Sequence, residues 1–215
     1  MSKNAFVAFT LLSLIVACGD DSGPAMAGNG AFPASGQTQS YGTASDGHQP
    51  FGAPLWLADN EDGTVTDNNT GLTWEKKDRS GGIHDVDRAY SWGLASAPYT
   101  MNGTIISFLD QLNTRPCFAG HCDWRIPNVK ELQSIIDYDV FEPSVSSAFH
   151  SENGCIDCRD ATAPHCTCTA STYYWSSTTV QNFPENAWIV TFYNGFVGHD
   201  AKNATFPVRA VRGGR

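Results

Sequence analysis

Four cysteines fall within CIDCRDATAPHCTC, residues 155–168, spaced C-x-x-C and then C-x-C. Thiols so placed could hold a zinc ion, exchange electrons as a redox pair, or close two disulfides. The C-x-C half is tighter than the spacing usual for zinc ligands. No strand-then-helix pattern surrounds the C-x-x-C, as a redox motif would require. Cys117 and Cys122 flank the short stretch FAGH and can close a small local loop. With Cys18 assigned to a different role below, Cys117, Cys122, Cys155, Cys158, Cys166 and Cys168 make an even set. In an exported protein that set favours three disulfides over a metal site. Within residues 155–168 the nested pairing, Cys155 with Cys168 and Cys158 with Cys166, is expected, and the crossed pairing is the alternative.

The remaining chemistry-bearing residues form no catalytic pattern. His48, His84, His121, His150, His165 and His199 lack the H-E-x-x-H spacing of a zinc hydrolase. Neither a G-x-S-x-G nucleophile turn nor a phosphate loop occurs. The acids of DNEDG, residues 59–63, hint at calcium, but Gly63 stands where a third ligand belongs. They read as a turn, no cofactor is expected, and calcium stays a possibility without a recognisable loop. The segment YNGFVGHDAKNA, residues 193–204, is polar, aromatic and loop-like, the composition of a binding surface on a scaffold. Tyr193 could stack on a sugar ring, while Asn194, His199, Asp200, Lys202 and Asn203 offer hydrogen-bonding groups. Trp188 is expected to pack inward with Val190 and Phe192, because AWIVTF alternates.

The N-terminus sets the compartment. Residues 1–17 carry one basic residue, Lys3, and then an apolar run too short to span a bilayer, as in a signal peptide. LIVAC, ending at Cys18, resembles a bacterial lipobox, so Cys18 is the expected lipidation site. Gly19 leaves the common inner-membrane retention signal absent, and an outer-membrane anchor is the expectation. The chain carries a net charge of −9, and loss of residues 1–17 would remove one base and no acid, leaving −10. Such a protein gains nothing electrostatically from nucleic acid. The densest basic cluster, Lys76, Lys77 and Arg79, would be the local patch needed to hold a polyanion.

Residues 18–54 are rich in Gly, Ala, Ser and Pro and read as a flexible tether, leaving residues 55–215 as one domain. TVTDNNTGLTWEKK predicts a β-hairpin across an Asn- and Gly-containing turn. IHDVDRAYSW predicts a short helix capped by Asp85 or Asp87 and carrying Tyr90 and Trp92. GTIISFLDQLN predicts a helix capped by Thr104, with Ile105, Phe108, Leu109 and Leu112 on one face. WRIPNVKELQSIIDY predicts another, with Pro127 in its first turn, Val129, Leu132, Ile135 and Ile136 inward, and Lys130, Glu131 and Asp137 toward water. From residue 172 onward TYYWSST, NAWIVTFY, GFVGHD and FPVRAVR read as short antiparallel strands. The fold class is therefore α+β, two or three short helices packed on a twisted antiparallel sheet.

TGLTWEKK, CDWRIPNVKELQSIIDY, YYWSST, AWIVTFYNG and VRAVR, taken together, resemble the bacterial Lcl C-terminal domain family over residues 58–212. WRIPNVKEL is also similar to a segment of formylglycine-generating enzymes, which implies a C-type-lectin-like fold. The resemblance implies a surface-displayed, adhesin-like recognition domain, with an extracellular glycan or protein surface as partner; the alternatives are a structural envelope lipoprotein and an enzyme of formylglycine-generating type, and the residue patterns above favour no catalysis. Trp124 and Arg125 are then scaffold, Arg125 pairing with a carboxylate or carbonyl.

Overall fold

The computed structural model describes residues 32–93, 103–151, 153 and 155–214. The expected signal peptide and Cys18 lie outside the described residues, as do residues 18–31 of the expected tether. Residues 32–54 lie along the domain. Ala34 N–H donates to Ala53 O, Ala53 N–H donates to Phe32 O, and Tyr138 N–H donates to Ser35 O, each at 2.8 Å.

The first sheet begins as a meander of β1 (Leu57–Asp59), β2 (Thr64–Asp67) and β3 (Leu72–Glu75). The β2–β3 turn is built by Asp67, whose carboxylate accepts from Asn69 N–H and from the Thr70 hydroxyl. Gly71, at φ +71°, closes it in a backbone region that residues with a Cβ enter at a cost. The next element, β4 (Tyr90–Ser91), replaces the helix expected around residues 85–92. Asp85 does not cap a helix. It ties its own loop by accepting from Gly81 N–H and Asp87 N–H, while Trp92 N–H donates to Lys202 O.

Helix α1 (Ile105–Asn113) starts at Thr104, which shares a capping box with Ser107, and it buries Ile105, Phe108 and Leu112. Helix α2 (Val129–Ser134) is a short one. Asn128 caps it by accepting from the N–H groups of Lys130 and Glu131, so Pro127 sits just outside the helix. Ile135 and Ile136 follow its end and are still buried. Then come β5 (Tyr173–Val180), β6 (Phe183–Thr191) and β7 (Val197–Ala201), an antiparallel meander that forms a sheet of its own. Two last short strands return to earlier ones: β8 (Thr205–Phe206) pairs with β4, and β9 (Val211–Gly213) pairs with β3.

Among the described residues the strands thus form three small sheets rather than the single sheet expected. The β5–β6 ribbon separates two apolar cores. Tyr174, Val190 and Phe192 join Trp74, Leu132, Ile135 and Phe149 on one side. Trp175, Ala187 and Ile189 join Phe108, Leu112 and Trp124 on the other. Neighbouring strand residues point to opposite faces, so a ribbon covered on both faces needs an almost unbroken apolar run. Each of these large side chains contributes about 1.5–3 kcal/mol by leaving water.

Candidate functional site

The turn between β6 and β7 is fixed by short-range bonds. Thr191 Oγ1 accepts from Tyr193 N–H at 3.1 Å, and Asn194 Oδ1 accepts from Phe196 N–H at 3.1 Å. Gly195, at φ +78°, completes the turn. A Cβ there would lie 2.6 Å from Tyr138 Cε1, because the Tyr138 ring packs directly on this glycine. The loop after α2 clamps the same turn: Ser144 N–H donates to Phe192 O at 2.7 Å, and Glu142 N–H and the Ser144 hydroxyl both donate to Tyr193 O.

The backbone of Tyr193 is therefore held while its ring stays 42% exposed, edge-on to Phe141 at 4.6 Å between centroids. Phe141, Phe196 and Tyr138 are 59%, 58% and 47% exposed, an aromatic cluster left in water. Beside it lies a concavity of about 280 Å³ lined by Ser171, Thr172, Tyr173, Thr191, Tyr193, Asn194 and Phe196. Its lining offers ring faces, hydroxyls and one amide, and no carboxyl, imidazole or amine. Such a surface can stack and hydrogen-bond; it carries no group placed for proton transfer near neutral pH.

The other residues expected in this site stand elsewhere. His199, exposed on β7, has its ring 5.8 Å from that of Trp188 and its Nδ1 3.0 Å from Asn186 Nδ2. Trp188 is half-buried against that histidine and belongs to neither core, unlike Val190 and Phe192. Asp200 accepts from Ala201 N–H, and Asn203 is exposed after the strand. Lys202 is buried, its ammonium 4.1 Å above the Trp92 ring and 2.9 Å from Thr179 Oγ1, and burial lowers its pKa. Asp200 is the fourth residue of β7, and Lys202 and Asn203 follow its end; at about 3.4 Å per residue they stand at the far end of the strand from Tyr193 and Asn194, so the expected set splits in two.

Residues 63–212 match the sequence model of the Lcl C-terminal domain. The chain belongs to the Lcl C-terminal domain family. The match runs from just before β2 to β9, the strands that close the first sheet. No curated protein matches the chain.

Inside this Lcl C-terminal domain the six cysteines form three disulfides, Cys117–Cys122, Cys155–Cys168 and Cys158–Cys166, with Cα separations of 5.2, 5.5 and 5.0 Å. Of the two pairings considered for residues 155–168, the nested one is present. Among the described residues, the acids of residues 59–62 do not bring three ligand atoms together. Asp59 instead pairs with Lys76 at 2.7 Å, and Asp62 accepts from Thr64.

The basic cluster is not a surface patch. Lys76 and Lys77 are buried, and Arg79 pairs with Asp87 at 2.9 Å. Lys77 donates to Glu75 Oε1 at 2.8 Å, His84 Nδ1 lies 2.8 Å from the same oxygen, and Ala210 N–H donates to Oε2 at 2.8 Å. Arg209 donates to Glu75 O and to Cys168 O, each at 2.7 Å. Burial pushes the Glu75 pKa up, yet Lys77 and His84 outweigh it and hold the carboxyl below its usual range. Burial lowers that of Lys77 against the pull of Glu75. Sequence reasoning missed this junction, although E-K-K on a strand puts Glu75 and Lys77 on one face.

Arg125 grips Glu131 with two bonds of 2.8 and 2.7 Å and also donates to Gly213 O. Glu131 is therefore not simply a water-facing residue. Burial raises its pKa, but the Arg125 bonds and the Asn128 N–H bring it below the ordinary value.

Proposed function

We propose that this Lcl C-terminal domain is a non-catalytic recognition module, exported on a lipoprotein and anchored to the outer membrane through Cys18. Its partner is an uncharged glycan or a protein surface of similar polarity, held at the β6–β7 turn. The observation that carries this reading is the exposed ring of Tyr193, fixed by its backbone beside a concavity of hydroxyls and the Asn194 amide. An aromatic face covers the apolar side of a sugar, and hydroxyl and amide groups satisfy its hydroxyls. With Lys76 and Lys77 buried, a polyanionic glycan would meet an acidic surface, which argues for a neutral ligand.

Two further parts of the reading rest on the sequence and on the pairing of strands. A C-type-lectin-like fold agrees with the β3–β9 pairing, which joins the two ends of the domain around two helices and a separate three-stranded sheet. A non-catalytic role agrees with the disulfides, which leave none of the described cysteines as the free thiol that formylglycine chemistry needs. The test is a glycan array probed with the soluble domain and with its Tyr193→Ala, Asn194→Ala variant. Capture of a neutral glycan by the parent and its loss in the variant is the expected result. Equal capture by both would move the site away from this turn.

A further inference from the structure

The two nested bridges bring four sulfurs into one buried cluster, and the geometry points to a second state of that cluster: a four-thiolate site for a soft divalent cation, opened by reduction. Cys155, Cys158, Cys166 and Cys168 form a small core of their own, with Val86 buried among them. The sulfurs of Cys155, Cys158 and Cys168 all lie within 4.8 Å of one another, although Cys158 is bonded to neither of the other two. Cys166, in the same buried cluster and bonded to Cys158, lies farther from at least one of the three and would swing in as the fourth ligand once its bridge opens. In a tetrahedral zinc–thiolate site, with metal–sulfur bonds of about 2.3 Å, sulfurs sit roughly 3.8 Å apart. Bonded sulfurs would open out from about 2 Å toward that value once reduced.

Charge and hydrogen bonding also suit a thiolate cluster. Four thiolates around a divalent cation carry two negative charges, which burial penalises unless donors and cations surround them. Arg209 Nη2 donates to Cys168 O, Arg79 N–H donates to Cys158 O at 2.7 Å, and Lys76 Nζ donates to Ala163 O at 3.2 Å. One buried donor beside the cluster, Thr167 Oγ1, has no partner among the described residues. Thr167 stands between Cys166 and Cys168 in the chain. Three acids nearby are already engaged, Glu75 by Lys77, Asp59 by Lys76 and Asp78 by Ala161 N–H, while Asp157 and Asp160 of the loop itself are exposed.

The conversion balances. With a phosphine as reductant, each bridge takes two electrons from the phosphine, which leaves as its oxide, and two protons from water. Binding one divalent cation then releases the four thiol protons. The oxidised and metal-bound states exclude each other, because each sulfur–sulfur bond removes two ligands.

The experiment uses the full chain, oxidised or reduced with a phosphine and freed of reductant without oxygen, and titrated with cadmium. For the reduced chain we expect a thiolate-to-cadmium absorption that saturates at one equivalent. Cys155, Cys158, Cys166 and Cys168 should then resist alkylation while Cys117 and Cys122 react. The oxidised chain should show no such band. A Cys117→Ser, Cys122→Ser variant should keep the one-equivalent endpoint, and a Cys155→Ser, Cys168→Ser variant should lose it. The inference is overturned if the four cysteines alkylate equally fast with and without cadmium. It is equally overturned if both double variants behave alike, whether the reduced chain is folded or not. None of these readouts depends on glycan capture.

Discussion

At Glu75 and at Tyr193 the domain mixes aromatic rings with polar groups, and the two places differ in what water can reach. Around Glu75 the rings of Phe108 and Phe149 lie 4.6 Å from Lys77 Nζ and 5.1 Å from the Arg209 guanidinium. Both carboxylate oxygens there have partners within the protein. Around Tyr193 the backbone is tied down and Asn194 Oδ1 is engaged by Phe196 N–H, while the rings stay exposed to water. The junction at Glu75 is committed to holding two ends of the chain together. The turn at Tyr193 is equally well positioned and has its contacts to spare. Buried and satisfied means structural here, whereas held and unsatisfied marks the place that can recognise something else.

If that contrast is right, the largest effect should come from the junction. Arg209→Met leaves the Glu75 carbonyl and the Cys168 carbonyl without their donor and should cost about 3–5 kcal/mol, read as a fall in the denaturant midpoint. A loss under 1 kcal/mol would remove the distinction between the two regions. Acid should act on the same place. The depressed Glu75 pKa gives stability that is present above the unfolded value of about 4.5 and is lost as pH falls through the lower folded value. Glu75→Gln should flatten that part of the stability–pH curve.

A smaller effect is expected at the turn that carries the proposed recognition surface. Gly195→Ala forces a Cβ into positive φ and against Tyr138, and should cost about 1–2 kcal/mol together with the position of the Tyr138 ring. The smallest effect on stability should be Tyr193→Ala, within about 0.5 kcal/mol, measured beside complete loss of ligand capture. A large drop in stability there would mean that Tyr193 is structural, like Glu75.

Much of this architecture is visible in the sequence wherever pattern and capping agree. Thr104 with its 3–4 spaced apolar residues announces α1, and D-N-N-T-G announces the β2–β3 turn. The stretch 85–92 misleads because an acid followed by apolar residues fits both a helix cap and an Asx-type loop. The decision falls to Lys202 and Phe206, more than 100 residues later. The buried lysines mislead for a similar reason. Charge alone says surface, and only the return of Arg209 and Ala210 shows that Glu75 and Lys77 lie inside. Tyr193 and Asn194 could be picked out by composition. Their neighbours Phe141 and Tyr138 could not, because a loop 50 residues away carries them.

The pairing at Glu75 also sets a schedule for folding. Its carboxylate waits for the N–H of a residue 135 positions later, and β3 waits for the last strand of the chain. Closures over such distances are slow, and a nascent chain lacks them until residues 209–211 have been made. Until residues 209–211 arrive, the first hairpin keeps an unpaired edge and an acid with no sealed home. A chain truncated a few residues short should therefore fail as a whole rather than lose one edge.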